Sequence, residues 1–468
     1  MIPAGMPEGK WDYEADVIVV GAGTAGLPAA IEAADAGAKV VVLEILPLCA
    51  PSLGLINVGP AFAGTDVQKE LGIEDSPEQY YKDGVELGKG DPEIWRAFAD
   101  NQLETYYWCQ KIGMNLGKEL MTPSAHRRER GIWKKGADMV RTLEKTAKEK
   151  GVDIKFSHRA TRLITDPMTG RVIGVKVKVK VKDKEEQNFK AKKAVIIATG
   201  SFGRNREMVE EYGPYFVDWL PTMCHGHLGD GLKMALDLGA DTKDLGRAVS
   251  GSFAVDIESK SGIMDFVGYS GGIFVNINGK RFADEACRER FYGLTTEEGI
   301  KQPDHIWFGI IDENINKTTL LHNMLHKAKP VQANTLEELA KQLGIDPAGL
   351  KQTVDKYNKD IETKGIDSVF DRQTLSGIEG KPVKLDTPPF YGYRCTGATS
   401  SFKGGVKING KAQVVNHYGE VIPHLYAAGE ATGGLWGHDG TYLPNTMVSA
   451  SMTYGRIAAK NAVKEPSL

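Results

Sequence analysis

The stretch from Asp16 to Glu44, "DVIVVGAGTAGLPAAIEAADAGAKVVVLE", constrains this chain's fold more than any other. Val17 to Val20 is a run of branched apolar residues that reads as a fully buried strand. Gly21, Gly23 and Gly26 follow at G-x-G-x-x-G spacing, then an Ala-rich helix, then a second apolar strand, Val40 to Leu43, that ends in the acid Glu44. Gly21 allows a tight turn, Gly23 lets a pyrophosphate approach the backbone, and Gly26 lets helix and strand pack closely. The helix N-terminus offers unpaired N–H groups and a partial positive charge to the pyrophosphate. Glu44 is placed to accept hydrogen bonds from a ribose. A lone glycine motif is weak evidence, but here the strand before, the helix after and the terminal acid all accompany it, so the stretch reads as a dinucleotide site.

At 468 residues the chain is long enough for two or three domains. Apolar residues at 41% and charged residues at 25% are ordinary for a globular protein. The net charge of −3 gives no overall attraction to nucleic acid or to a membrane surface. Five cysteines, Cys49, Cys109, Cys224, Cys287 and Cys395, are dispersed, with no metal-ligand or haem-attachment spacing. They argue against a disulfide framework and fit a reducing compartment. The start, "MIPAGMPEGKWDYEAD", lacks a basic n-region followed by an apolar core, and no apolar run approaches the ~20 residues of a membrane helix. The expectation is a cytoplasmic protein without a membrane span, a nucleic-acid partner or a metal.

Further along, "ADMVRTLEKTAKEKG" has helical periodicity and stops at Gly151. Val175, Val177, Val179 and Val181 alternate with Lys176, Lys178, Lys180 and Lys182. Period two means a strand with one buried and one wet face, and the lysine row reads as a solvated face rather than a nucleic-acid stripe. "KAVIIATGSFG" is another buried strand ending in a glycine turn at Gly200 and Gly203, and Gly229-Asp230-Gly231 opens a helix. The character changes from about 247 to 372. "GYSGGIFVNINGKRFADE" reads as a β-hairpin turning at Asn278-Gly279. Thr335 with Glu338 forms a capping box, and Asp346 caps a helix with Pro347 at its first position and Leu350, Val354 and Tyr357 on one face. This region reads as an insertion. From about 373 glycine-rich strand-and-turn text returns, and "SMTYGRIAAKNAV" is a final helix.

"GAGTAG…VVVLE", "AVIIATGSFGRNREM", "GHLGDGLKMA", "GGIFVNINGKRFADE", "TLEELAKQLGIDPAGLKQTVDKYN", "GGVKI" and "IPHLYAAGEATGG…YGRIAAKNA" occur in that order. This series resembles the fumarate reductase / succinate dehydrogenase flavoprotein family, in particular its 3-ketosteroid dehydrogenase-like branch. The resemblance implies an α/β fold: a Rossmann-like FAD-binding domain interrupted by an α+β capping domain. The boundaries are 1–246, 247–372 and 373–468. It implies FAD contacts at Gly21, Ala22, Gly23, Thr24, Ala25, Gly26, Glu44, Ala198, Thr199, Gly200, Asp230, Gly405, Gly429, Glu430, Asn445, Thr446 and Met447. FAD is favoured over NAD because the first motif is completed by "LYAAGEATGG" some 400 residues later, whereas an NAD site is usually completed within one contiguous domain. Succinate dehydrogenases anchor FAD through a His in the loop after the first acid. Here that loop, "ILPLCAPSLGLINVGP", has none, so noncovalent FAD is implied.

The family reaction is hydride transfer at flavin N5 that makes or saturates a C–C double bond beside a carbonyl. It requires a fixed flavin, a proton donor and hydrogen-bond donors at the carbonyl. The family's catalytic Arg falls at Glu289, with Arg288 and Arg290 beside it, and Ser400 and Ser401 stand where a substrate-binding His is usual. A late Arg is replaced within "GHDGTYLPNTMV". The dicarboxylate clamp is thus dismantled, and Tyr442 in Tyr442-Leu443-Pro444-Asn445 resembles the carbonyl-binding Tyr of the ketosteroid enzymes. Tyr292, with Arg288 or Arg290, is the candidate for proton transfer. His438 beside Asp439 reads equally as a proton relay or a turn, and His225 and His227 as structural. The expected activity is on an enone or 3-ketosteroid-like substrate, with an external electron donor or acceptor. The alternatives are a fumarate reductase-like enzyme for an unsaturated acid and an electron-transfer subunit without its own substrate.

Overall fold

The computed structural model describes residues 10–54, 59–121, 127–132, 135–179, 185–245, 252–260, 264–286, 298–299, 301–318, 328–375, 380–437 and 443–467. The principal strands are β1 (Tyr13–Val20), β2 (Val40–Glu44), β3 (Asp153–Phe156), β4 (His158–Thr165), β5 (Val172–Val179), β6 (Glu185–Ile197), β7 (Ser252–Asp256), β8 (Ile273–Val275), β9 (Ile306–Asp312), β10 (Phe390–Thr399), β11 (Gln413–Val415) and β12 (Val421–Ala427). The helices that matter for the site are α1 (Gly26–Asp35), α2 (Gly136–Glu149), α3 (Leu336–Leu343), α4 (Pro347–Lys364) and α5 (Thr446–Ala462).

The first sheet runs β11-β12-β6-β1-β2-β3. Its centre is parallel, with Val17 opposite Val40, Val19 opposite Ile196 and Leu425 opposite Val195. Such strands are covered on both faces, so Val17 to Val20 and Val40 to Leu43 are all buried. Each is worth about 1.5–3 kcal/mol of apolar burial. β4, β5 and β6 continue the sheet as an antiparallel meander. On β5, Val175 and Val177 face the core while Lys176 and Lys178 reach Glu186 on β6 at 3.4 and 3.8 Å. Lys176 and Lys178 lie on a solvated strand face, as their alternation with valine requires; Lys180, Val181 and Lys182 lie outside the described residues. α2 ends at Glu149, two residues before a left-handed Gly151.

The second sheet runs β7-β10-β9-β8 and has its own apolar core. Phe253 lies opposite Ala398, Trp307 opposite Cys395 and Phe274 opposite Gly309. α3 and α4 cover it with Leu336, Leu339, Leu343, Leu350, Val354 and Tyr357. The Thr335 hydroxyl caps α3 through the Glu338 amide at 3.2 Å, and Asp346 caps α4 through the Ala348 amide at 3.1 Å. The central strand of this sheet, β10, comes from 390–399, beyond the insertion expected to end at 372. The turn at Asn278-Gly279 forms, with the Asn276 amide donating to Lys280 O at 2.9 Å and Gly279 at φ +68°. Its flanking ladder is a single bridge, Val275 to Arg281. The chain then leaves the sheet because Arg281 turns into a buried ion cluster with Glu285 and Asp367.

Asp265, buried beside β7, sets a measurable pH dependence. One oxygen accepts the Ala254 amide at 2.8 Å, and the other has no hydrogen-bond partner among the described residues. Burial pushes its carboxyl up to about 7, and the Ala254 amide offsets only part of that. With the folded value above the unfolded one, the folded state holds the extra proton between about pH 4 and 7. Stability from this group is present at about pH 4 and lost as pH rises through 7, by about 4 kcal/mol at 1.36 kcal/mol per unit. Asp265→Asn is therefore expected to melt near wild type at pH 4 and above it at pH 8, as read by circular dichroism of the apoprotein.

Candidate cofactor and active site

β1 ends at Val20, and Gly21 turns at φ +106° with its amide on Leu43 O at 2.8 Å. α1 begins at Gly26 without a side-chain cap and without an acid in its first turn, so its N-terminal dipole is not countered by any residue there. Gly23, Thr24 and Gly21 keep partial exposure, whereas Ala22 and Ala25 are buried. A β-carbon added to Gly23 would meet only Ala198 O, at 3.9 Å, which leaves that face of the loop open for a ligand. Glu44 closes the motif from β2: Oε2 accepts the Ala22 amide and Oε1 the Leu46 amide, both at 2.8 Å. Burial pushes the Glu44 carboxyl up, and the Ala22, Leu46 and Ile45 amides pull it back. The loop after β2 folds over the motif, with the Ala50 amide on Ala22 O at 2.9 Å.

Distant segments converge here. The Ala198 amide binds Val20 O at 2.8 Å, and the Ala428 amide binds Ile197 O at 2.9 Å, so the ends of β6 and β12 flank the glycine loop. Gly429 sits at φ +74°; a β-carbon there would lie 2.9 Å from Cβ of Ala25. Gly405 packs on Ala431, and Val406 bridges to Thr432. Gly200 lies under the His227 ring, and Gly231 under Thr199. The two glycine-bearing ends of the chain therefore form one site. Asp230 is nearby, but both its oxygens engage Arg159 on β4 at 2.8 Å, so its carboxylate is already paired. His225 is exposed.

Asn445 is at φ +68° immediately before α5, which starts at Thr446, five residues earlier than the sequence pattern suggests. Asn445 donates to Ile132 O at 3.4 Å and makes no side-chain cap on the helix. The Thr446 hydroxyl pairs with Tyr80 OH at 2.6 Å, and Met447 packs against the main core. Tyr80 lies under the Arg130 guanidinium, 4.3 Å from ring centre. Arg130 is fully buried and grips Asp75 at 2.6 and 2.7 Å and Asp83 at 2.6 Å. This buried cluster fixes the start of α5. Sequence reasoning does not find it, because its members lie hundreds of residues from Thr446.

Glu430 follows Gly429 in the site. Its Oε2 has no hydrogen-bond partner among the described residues and lies 3.6 Å from Nδ1 of His227. Burial pushes its carboxyl up to about 7, and the Ser401 hydroxyl beside it only partly offsets this. The Thr199 hydroxyl is also buried without a partner. Orphaned polar atoms around an open, amide-lined glycine loop are what a hydroxyl- and phosphate-bearing cofactor satisfies, so the residues present fit FAD. Tyr442, Tyr292, Arg288, Glu289, Arg290, His438 and Asp439 lie outside the described residues. Among the described residues no His/Cys/Asp/Glu group could hold a metal, and no helix is long and apolar enough to cross a membrane.

Residues 16–441 match the FAD binding domain family. A fumarate reductase (cytochrome) of Shewanella frigidimarina is 31% identical over 462 residues, covering 96% of this chain and 77% of that one. The open conformation of a flavocytochrome c3 fumarate reductase superposes with a TM-score of 0.83 at 29% identity, covering 97% of this chain and 79% of that one. A 3-ketosteroid-Δ4-(5α)-dehydrogenase from Rhodococcus jostii RHA1 superposes at 0.79 with 27% identity, covering 99% and 100%. The chain belongs to the fumarate reductase / succinate dehydrogenase flavoprotein family. It is an FAD-dependent oxidoreductase of carbon–carbon double bonds.

Proposed function

We propose that the enzyme reduces or introduces a C=C bond adjacent to the carbonyl of a neutral cyclic enone, of the 3-ketosteroid kind. What supports this reading is at the end of β10: by the family resemblance Ser400 and Ser401 stand where a dicarboxylate-binding histidine is usual, and Ser401 is buried beside Glu430. Two hydroxyls suit a neutral substrate better than a dianion. The full-length match to a ketosteroid dehydrogenase supports the same class.

The bound FAD, held noncovalently since no His lies between Glu44 and Pro60, supplies hydride exchange at N5. The chain supplies the rest. Glu430, Thr199 and the amides of the glycine loop and of the start of α5 hold the cofactor. The segment 247–372, with the returning strand β10, is the lid that excludes water over the site. Tyr442 donates to the carbonyl oxygen and stabilises the charge that develops there. Tyr292, with Arg288 or Arg290, moves the proton at the neighbouring carbon. Electrons come from or go to an external donor or acceptor. Cys49, Cys109, Cys224 and Cys395 are free thiols, which suits the reducing cytoplasm.

Tyr442→Phe is expected to lower turnover by about 10²-fold with FAD content unchanged. Unchanged turnover removes Tyr442 from the chemistry. A panel of steroid-like enones against fumarate-like acids, read as reoxidation of the dithionite-reduced protein, tests the substrate class. The fumarate reductase likeness, with the higher TM-score, favours the acid as the second reading; preferential turnover of fumarate-like acids would establish it.

A further inference from the structure

The loop after β2 and the loop ahead of Asp230 meet at one buried imidazole. His227 is 9% exposed, and a β-carbon on Gly200 would lie 2.7 Å from its ring. The Ser201 backbone N–H points at Nδ1 from 3.2 Å. An amide N–H can only donate, so Nδ1 presents its lone pair and the ring proton resides on Nε2. A neutral ring agrees with its surroundings: burial, then the nearby Arg204 guanidinium, hold the imidazole down at about 4. It agrees also with Glu430, whose Oε2 faces the Nδ1 lone pair at 3.6 Å and whose own carboxyl favours keeping its proton.

The direction of the next bond follows. Nε2–H donates to Oγ of Ser52 at 3.2 Å. The Cys224 amide donates to the same oxygen at 3.2 Å. Both lone pairs of the Ser52 hydroxyl are then engaged, and its hydrogen has to donate to a third group. Ser52 lies two residues from Ala50, whose amide holds Ala22 O in the glycine loop. A Ser–His contact can also signal a nucleophile with its base. Here the polarity is reversed: the imidazole donates to the serine oxygen, and its lone pair is taken by an amide.

We propose that Ser52 is an obligate hydrogen-bond donor to an oxygen of the bound FAD, and that His227 is the positioning residue that enforces this direction. The inference rests on the FAD reading of the site. The acceptor is a phosphate oxygen or a flavin carbonyl, two oxygens of the same cofactor that one set of measurements separates.

Apoprotein is titrated with FAD and, separately, with ADP, and the midpoint potential of the reconstituted flavin is measured. Ser52→Ala is expected to raise the Kd for FAD by about tenfold, the loss of one hydrogen bond to a charged or carbonyl oxygen. An equal loss for ADP places the acceptor on the pyrophosphate. Intact ADP binding with a shifted midpoint potential places it on the ring. His227→Leu is expected to reproduce Ser52→Ala. His227→Gln, which accepts at one atom and donates at the other, and Ser52→Thr, which keeps the hydroxyl, are expected to restore affinity at least in part. Wild-type protein that binds no FAD overturns the functional reading. Wild-type protein that binds FAD, with Ser52→Ala unchanged in affinity and potential, overturns this inference alone. Weakened binding in Ser52→Ala but not in His227→Leu overturns the positioning role.

Discussion

Gly26→Ala is expected to purify without flavin. A β-carbon at residue 26 would sit 1.9 Å from the Gly21 carbonyl oxygen, 3.0 Å from its carbon and 3.3 Å from Cγ1 of Val19. Backbone atoms cannot rotate aside as a flexible side chain can, so either α1 or the turn at Gly21 must move. The turn is tied to β2 through Leu43 O, and α1 is pressed from behind by α5, where a β-carbon on Gly455 would lie 2.1 Å from Ala25 O. Either movement opens the amide-lined loop that, on the proposed reading, receives the pyrophosphate. Forced overpacking costs about 1–3 kcal/mol, which is up to about 10²-fold in FAD affinity. The measurement is the ratio of flavin to protein absorbance, followed by FAD titration of the apoprotein. Gly37→Ala is the control. Gly37 also has a positive φ, +83°, but nothing lies within 4 Å of its added β-carbon. It is expected to lose about 1 kcal/mol of stability and to keep its flavin. Full flavin content in Gly26→Ala would mean that the loop does not carry the pyrophosphate.

What could be read from the sequence was what local chemistry decides. The strand Val17–Val20, the glycine turn and Glu44 are adjacent in sequence and in space, and their spacing alone places them. The caps at Thr335 and Asp346 and the valine–lysine alternation of β5 are likewise one- to three-residue rules. Convergence of the C-terminal "GEATGG" on the same loop was legible only through the resemblance, because no periodicity links residue 430 to residue 25. What was not legible depends on pairs far apart. Arg130 with Asp75 and Asp83, and His227 with Ser52, each join separate segments of ordinary polar composition. His227 reads as a structural residue because a histidine's role is set by what faces its two nitrogens. Arg159, which engages both oxygens of Asp230, is likewise announced by nothing in the sequence. The sequence pattern places the start of α5 late because Thr446 is held by Tyr80, 366 positions away, rather than by a local cap.

The second large effect is expected around the second sheet. Arg281, Arg372, Glu285 and Asp367 are buried together, two positive charges against two negative. Arg281 holds both oxygens of Glu285, at 2.8 and 2.5 Å, and reaches Asp367 at 2.8 Å. Arg372 donates to Gly272 O at 2.8 Å and Gly268 O at 2.5 Å and lies 3.5 Å from Glu285. The Phe274 amide donates to Glu285 at 3.1 Å, tying the cluster to β8. Burial pushes the Glu285 carboxyl up, but Arg281 and then Arg372 hold it below the ordinary carboxylate range. Glu285→Gln leaves a buried positive charge uncompensated, and the expected loss is about 3–5 kcal/mol by urea unfolding at pH 7. A depressed carboxyl stabilises above its unfolded value near 4.5 and loses that stabilisation as pH falls, so the gap between variant and wild type is expected to narrow below about pH 4.5. Adding Arg372→Met restores neutrality, and the double variant is expected to lose less than the sum of the two single losses. Strict additivity would mean that the four charges do not act as one cluster. On the proposed reading the cluster bears on function, because the chain enters 287–297 directly from Glu285–Ala286 and that segment carries Arg288, Arg290 and Tyr292. On that reading, loosening the second sheet at this root should leave FAD binding normal, since the glycine loop belongs to the other sheet, and should lower turnover together with stability.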